Sequence, residues 1–200
     1  MELHTQAKGL HLGLTGGMGC GKSTVAAFFR EAGWSVLEAD ALVRELLTSD
    51  ASVIEALRLH WGETVFDANG RVDRSAIATL VFEDSDSLLW LEALLHPLVR
   101  KLWSASIAAE PSSNWLVEIP LLFEKSLEKE FDLIVCIVSS ETDIVTRMAQ
   151  RGYSRDAIES RSQRQMPLSE KIQRSDFVIQ NSGSLDFLKE QTKRLIAELL

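Results

Sequence analysis

Apolar residues fall along the chain in runs of two kinds. Five short runs read as strands: "LHLGLT" (10–15), "WSVLEA" (34–39), "WLVEI" (115–119), "FDLIVCIV" (131–138) and "DFVIQ" (176–180). The fourth is apolar without alternation, the pattern of a strand buried on both faces of a parallel sheet that helices cover. Between the runs, apolar residues recur at helical spacing. The segments are "KSTVAAFFREAG", ended by Gly33, then Asp40–Leu47, Ala51–Trp61, Asp73–Phe82 with Asp73 as its cap, and Ser87–Leu95. Pro97 is expected to open one more helix toward Ala109, and "DANG" (67–70) is a turn by composition. The alternation predicts an α/β fold, a five-stranded parallel sheet flanked by helices. About a dozen residues separate the first two strands but roughly seventy-five separate the second from the third, so a helical insertion is expected at 40–110.

Composition narrows the function classes. An apolar fraction of 46% with 25% charged residues is that of a soluble globular chain, and 200 residues suffice for one core with an insertion. The longest uncharged stretch, Gly9 to Gly21, is too short and too glycine-rich to span a bilayer, and the leader "MELHTQAKG" has no apolar signal core. Two cysteines without metal-ligand spacing make a reducing cytoplasm the expected setting. A net charge of −8 argues against nucleic-acid and anionic-membrane partners. Yet Arg147, Arg151, Arg155, Arg161, Arg164, Lys171 and Arg174, against Asp156, Glu159 and Glu170, leave a local excess of +4 between 144 and 174. The sequence leaves the oligomeric state open.

The first strand runs into "GGMGCGKST" (16–24), the spacing of a phosphate-binding loop. Such a loop turns its backbone N–H groups onto phosphate oxygens at a helix N-terminus, where the helix dipole adds to the field. Gly17, Gly19, Cys20, Gly21, Lys22, Ser23 and Thr24 are therefore the candidate nucleotide contacts. Lys22 is placed to charge-pair with the β- and γ-phosphates, and the Ser23 hydroxyl to ligate Mg²⁺. Cys20 reads either as a thiol activated by the dipole and Lys22 or as a small residue tolerated in the loop.

The loop alone does not say where the phosphate goes. The segment after the fifth strand reads "QNSG" and not the guanine-reading NKxD of a switch, and there is neither the acidic Walker B pair at a strand end nor the room of a large ATPase. A small-molecule kinase needs less: a carboxylate near the acceptor hydroxyl and arginines over the transferring group. Asp40, at the carboxyl edge of the second strand, can orient an acceptor hydroxyl or simply cap the next helix. Glu118, ending the third strand, can hold Mg²⁺ directly or through water, or cap the turn before Pro120. Arg147 and Arg151 share a helix face before Gly152, and Ser154 caps a second helix with Arg155, Arg161 and Arg164. Two arginine-rich helices about a glycine describe a lid over phosphates, although part of such a run is ordinarily a solvated face.

These residues resemble the dephospho-CoA kinase family over nearly the whole chain. "LTGGMGCGKSTVA" resembles its phosphate loop, "EAD" (38–40) its alanine-aspartate pair, and "GRVDR" (70–74) with "LVF" (80–82) its acceptor-domain signature. "LEALLHPLV" (91–99), "IPLLFE" (119–124), "TRMAQR", "QMPLSEK" (165–171) and "SDFVIQNSG" (175–183) follow its pattern in order. The resemblance implies transfer of the γ-phosphoryl group of ATP, with Mg²⁺, to the 3′-hydroxyl of dephospho-CoA. It implies a nucleotide core (1–39, 111–146, 175–200), a helical acceptor domain (40–110) and a lid (147–174). It makes Lys22, Asp40, Arg147 and Arg151 the expected catalytic residues, Asn181 and Gly183 an adenine-side loop, and Arg74, His96 and Glu118 acceptor-side residues. His96 alone would also suit a core or capping histidine. Glu118 departs from the family's aspartate, a longer reach toward metal. Outside this resemblance, a kinase for another small hydroxyl compound or a non-catalytic ATP-binding regulator remains open.

Overall fold

The computed structural model describes residues 8–200 without the Arg161 side chain, so the readings of the leader's first seven residues and of Arg161 as a lid cation lie outside the described residues. β1 (His11–Gly16) passes through the glycine loop into α1 (Lys22–Glu31), and β2 (Ser35–Glu38) passes directly into α2 (Ala39–Ser49). Three more helices follow, α3 (Ala51–Trp61), α4 (Arg74–Glu83) and α5 (Ser85–Ala109). Then come β3 (Trp115–Glu118), β4 (Leu133–Val138), α6 (Glu141–Gln150), α7 (Arg155–Gln163), α8 (Leu168–Gln173), β5 (Phe177–Gln180) and α9 (Leu185–Leu199).

The strands form one parallel sheet in the order β2-β3-β1-β4-β5. β1 is central: Leu12 faces Leu116 on one side and Leu133 on the other, and Leu14 faces Glu118 and Val135. Its six residues are all buried, as are Ile134–Ile137 of β4, whose run reads as continuously apolar for that reason. Val25 and Phe29 of α1 and Leu188 of α9 pack into the same core, where Phe29 meets Trp34 edge to face at 5.1 Å. Every strand ends on the same edge, and ligands of such sheets bind outside the carboxyl ends of the strands.

The chain divides into two compact units. One runs to Glu38 and resumes from Glu110 to Leu200; the other is Ala39–Ala109. Within the second unit, α2 packs on α3 and α5, and α4 on α5. Asp50 caps α3 and Asp73 caps α4, each accepting two backbone N–H bonds at 2.8–3.2 Å. Asp67 accepts from the N–H groups of Asn69 and Arg71 and so closes the "DANG" turn.

Two expectations are corrected. Residues 85–109 form a single helix with Pro97 inside it, not two helices meeting at His96 and Pro97. Proline cannot donate to the Ala93 carbonyl, but both residues are exposed, so solvent can satisfy that oxygen and the helix continues. The second strand stops at Glu38, and Asp40 lies in the first turn of α2 instead of ending a strand. Lys171, counted above in the basic excess of residues 144–174, is fully buried. No helix among the described residues is long and apolar enough to cross a membrane.

Candidate active site

The phosphate loop takes its shape from three glycines in the left-handed region, Gly16 (φ 142°), Gly19 (72°) and Gly21 (98°). A Cβ at Gly16 would lie 2.2 Å from the Ile137 carbonyl oxygen, and one at Gly21 2.2 Å from Asn181 Nδ2, so any larger residue would open the loop. At Gly17 a Cβ would meet nothing within 4 Å: that side of the loop faces open space, room a phosphate can take.

The helix behind the loop differs from its neighbours at its start. α3, α4, α6, α7 and α9 each have an aspartate or serine cap whose side chain accepts a first-turn N–H. α1 begins at Gly21 with no side-chain cap and no acidic residue in its first turn. Its leading N–H groups and dipole are thereby left to an anion. Lys22 is buried beside them, donating to the carbonyls of Gly16 (3.4 Å) and Gly17 (3.0 Å). Ser23 is exposed on the first turn of α1, and Thr24 is half-buried with its N–H on the Gly21 carbonyl at 3.1 Å.

Cys20 is fully buried, and that burial pushes its thiol pKa up, against the opposing pull of Lys22. A raised pKa leaves little thiolate, so the sensor reading of Cys20 falls and that of a small loop residue stands. Cys136 is likewise buried and free, its pKa pushed up to about 11 by desolvation.

Asn181, at the exit of β5, and Arg147, in α6, meet at the loop. The Asn181 side chain donates to the Cys20 carbonyl at 2.8 Å. Arg147 donates to the Asn181 carbonyl at 2.9 Å, to Ser139 Oγ at 2.7 Å and to the Gly19 carbonyl at 3.4 Å. Ser139 also donates to the Asn181 carbonyl. The exits of β4 and β5 thus hold residues 19–21 in place. Ser139 was not foreseen; its signal was its position, the first polar residue after the apolar run of β4. Gly183, two residues beyond Asn181, is exposed.

The remaining cations divide. Arg151 is exposed at the end of α6, where Gly152 (φ 85°) stops the helix. Arg155 pairs with Glu159 at 3.3 Å on an exposed face of α7, a solvated pair. Glu118 is buried at the end of β3, beside Leu14 in register. In the helical unit, Asp40 is exposed in the first turn of α2, Arg74 is exposed as the first residue of α4, and His96 is half-buried in α5. The site residues on one compact unit are therefore Lys22, Ser23, Glu118, Arg147 and Asn181, while Asp40, Arg74 and His96 belong to the other.

A phosphate loop backed by an uncapped helix can hold the phosphates of a nucleotide, and known proteins match the chain along most of its length. The family model described as dephospho-CoA kinase matches residues 10–186. A dephospho-CoA kinase of Aquifex aeolicus is 35% identical over 94% of this chain and 96% of its own, and one of Thermus thermophilus 39% identical over 94% and 91%. A crystal structure of a Thermus thermophilus protein superposes with a TM-score of 0.81 at 38% identity, covering 97% of this chain and all (100%) of that one. A shikimate kinase from Bacteroides thetaiotaomicron, at 16% identity and a TM-score of 0.55 over 95% and 97%, shares the fold. With the loop, the parallel sheet and a match from Leu10 to Asp186 in agreement, the chain belongs to the dephospho-CoA kinase family.

Proposed function

We propose that this protein transfers the γ-phosphoryl group of ATP to the 3′-hydroxyl of dephospho-CoA, giving CoA and ADP, the final step of coenzyme A synthesis. The observation that carries the reading is the glycine loop on an uncapped α1, with Lys22 beside it, in a chain matched by that family over residues 10–186. Lys22 and the N–H groups of the loop hold the transferring phosphoryl group as its charge spreads, and Arg151 adds positive charge from the lid. Arg147 acts at the same phosphates through the shape of the loop it braces. Asp40 orients the acceptor hydroxyl, Arg74 and His96 serve the acceptor side, and Asn181 with Gly183 borders the adenine.

Among the described residues no group of three or more His, Cys, Asp or Glu side chains could cage a metal by itself. That suits Mg²⁺, which binds mainly through substrate phosphates and one or two protein oxygens. The Ser23 hydroxyl, and the Glu118 carboxylate directly or through water, would hold it, and when bound it neutralises charge on the phosphates. Two free, buried thiols support a cytoplasmic setting.

Offering dephospho-CoA, adenosine, AMP and shikimate in turn with ATP and Mg²⁺, and measuring ADP release, tests the reading. Release with dephospho-CoA well above the others is expected. Preference for another hydroxyl compound, or nucleotide binding without ADP from any acceptor, would overturn it.

A further inference from the structure

The arginine segment returns to the sheet through contacts that its charge pattern conceals. Lys171 of α8 is 0% exposed and donates to Glu124 at 2.9 Å and to the Pro120 carbonyl at 2.8 Å. The same Glu124 oxygen accepts the Met166 N–H at 2.8 Å. The Pro120 carbonyl also accepts from Thr15, the residue before Gly16 of the phosphate loop, at 3.3 Å. Arg174 adds a second tie: it pairs with Glu128 and lies over the Phe123 ring at 4.7 Å. Residues 166–174 are thereby fixed to the segment leaving β3, two residues beyond Glu118, and α8 packs on β1 and β4. Upstream, α7 packs on α6, and Gly152 supplies a left-handed turn with open space around it.

We propose that the buried Lys171–Glu124 pair is a positioning device for phosphoryl transfer, a fixed post that ties the returning end of the arginine segment to the third-strand exit so that only residues 151–165 move when nucleotide binds. An apolar pair could fill the same volume without the desolvation penalty of two buried charges. What the ion pair adds is direction: one ammonium group sets the Pro120 carbonyl and the Glu124 carboxylate together, and through them joins Met166 to the segment that meets Thr15 beside the phosphate loop. A fixed post at one end gives the moving arginines a reproducible landing point, and misplacement of about 1 Å in such a site costs on the order of a hundredfold in rate.

The proposal rests on the kinase reading above, and two measurements keep the two apart. The first is hydrogen exchange on the unmodified protein with and without adenylyl imidodiphosphate. Amides of 166–174 are expected to exchange as slowly as those of β4, and those of 153–164 at least about tenfold faster until the analogue slows them. Exchange of 166–174 as fast as 153–164, or no slowing of 153–164 by the analogue, overturns the post whatever the acceptor is. The second compares Lys171→Met with the Glu124→Leu/Lys171→Met double variant. The single variant leaves a buried carboxylate uncompensated and should lose melting temperature, which the double variant recovers in part, short of the full value because the Met166 N–H loses its acceptor. The double variant should nonetheless turn over dephospho-CoA roughly ten- to a hundredfold more slowly with its KM for ATP nearly unchanged. Wild-type turnover in a stable double variant would show the pair to be structural only. An unmodified protein inactive on dephospho-CoA would instead overturn the kinase reading, leaving the exchange experiment to decide the pair.

Discussion

Asp40 and Gly21 bear on opposite halves of the proposed reaction, and single substitutions separate them. Asp40 is exposed, on the unit that lacks the phosphate loop, so Asp40→Asn is expected to lower turnover by about 10² to 10⁴ as a positioned acid–base group would, with ATP affinity nearly unchanged. Steady-state kinetics beside calorimetric titration with ATP checks this; unchanged turnover removes Asp40 from the mechanism. Gly21→Ala should do the reverse. A Cβ there meets the Asn181 amide at 2.2 Å in a backbone conformation that alanine resists, so ATP binding is expected to weaken at least roughly tenfold. Retained affinity in the same titration would mean that the loop adjusts and that Asn181 is no brace.

At the level of elements, α5 carries a defect that can be removed. Pro97→Ala would restore an N–H to the Ala93 carbonyl at an exposed position, and the helix interior should gain up to roughly 3 kcal/mol, read as a rise in melting temperature. An unchanged or lowered melting temperature would show that Pro97 is favoured by its own packing. The same helix shows where periodicity misleads: proline after "LEALLH" is an ordinary opening signal, and only the exposure of Ala93 and Pro97 reveals that the chain continues. The fourth strand was legible because both-face burial leaves an uninterrupted apolar run, the others as short apolar-rich runs, and each of the five was located to within two residues of its ends. α9 was overlooked although Leu188, Thr192, Leu195 and Ile196 recur on one buried face, a signal diluted by five charged residues between them and beyond. At the site, the glycine spacing and Lys22 were legible because the loop's backbone geometry dictates residue type at fixed offsets. The engagement of Arg147 with Asn181, and the burial of Lys171, depend on strand exits far apart in sequence, which no local pattern encodes.

For the whole molecule, stability should be bounded on both sides of neutrality. Burial, reinforced by Lys8 and opposed by Asp132, holds the pKa of His11 below 6.5. Asp132 is held below 3.8 although burial alone would raise it, because the His11 N–H and Lys8 bind its charged form. Both folded-state values are depressed, so their stabilisation is present above the unfolded values and is lost as pH falls, first through the His11 range below 6.5 and then below 3.8. Cys136 acts in the other direction: its pKa rises from 9.0 to about 11, so the stability it confers is intact below 9 and is lost toward 11, a change of roughly 2 to 3 kcal/mol. Denaturant midpoints across pH should therefore peak between about 6.5 and 9 and fall on both sides. A Cys136→Ala variant that keeps the alkaline limb would reassign it. At neutral pH neither thiol should react with a thiol reagent until the protein unfolds.

The central place of β1 has a consequence for how the chain is made. β1 is made about a hundred residues ahead of the first of its two partners, Trp115–Glu118 and Leu133–Val138. At typical synthesis speeds of about 5–20 residues per second, a strand that is buried throughout in the finished sheet waits roughly 5 to 20 s for the first of them. During that interval Ala39–Ala109, a compact unit of its own, can form first while the future centre of the sheet is still unpaired. Nascent chains halted before residue 115 should therefore be the ones that chaperones bind and that aggregate, whereas chains halted beyond residue 138 should already have sheltered the segment that becomes the phosphate loop.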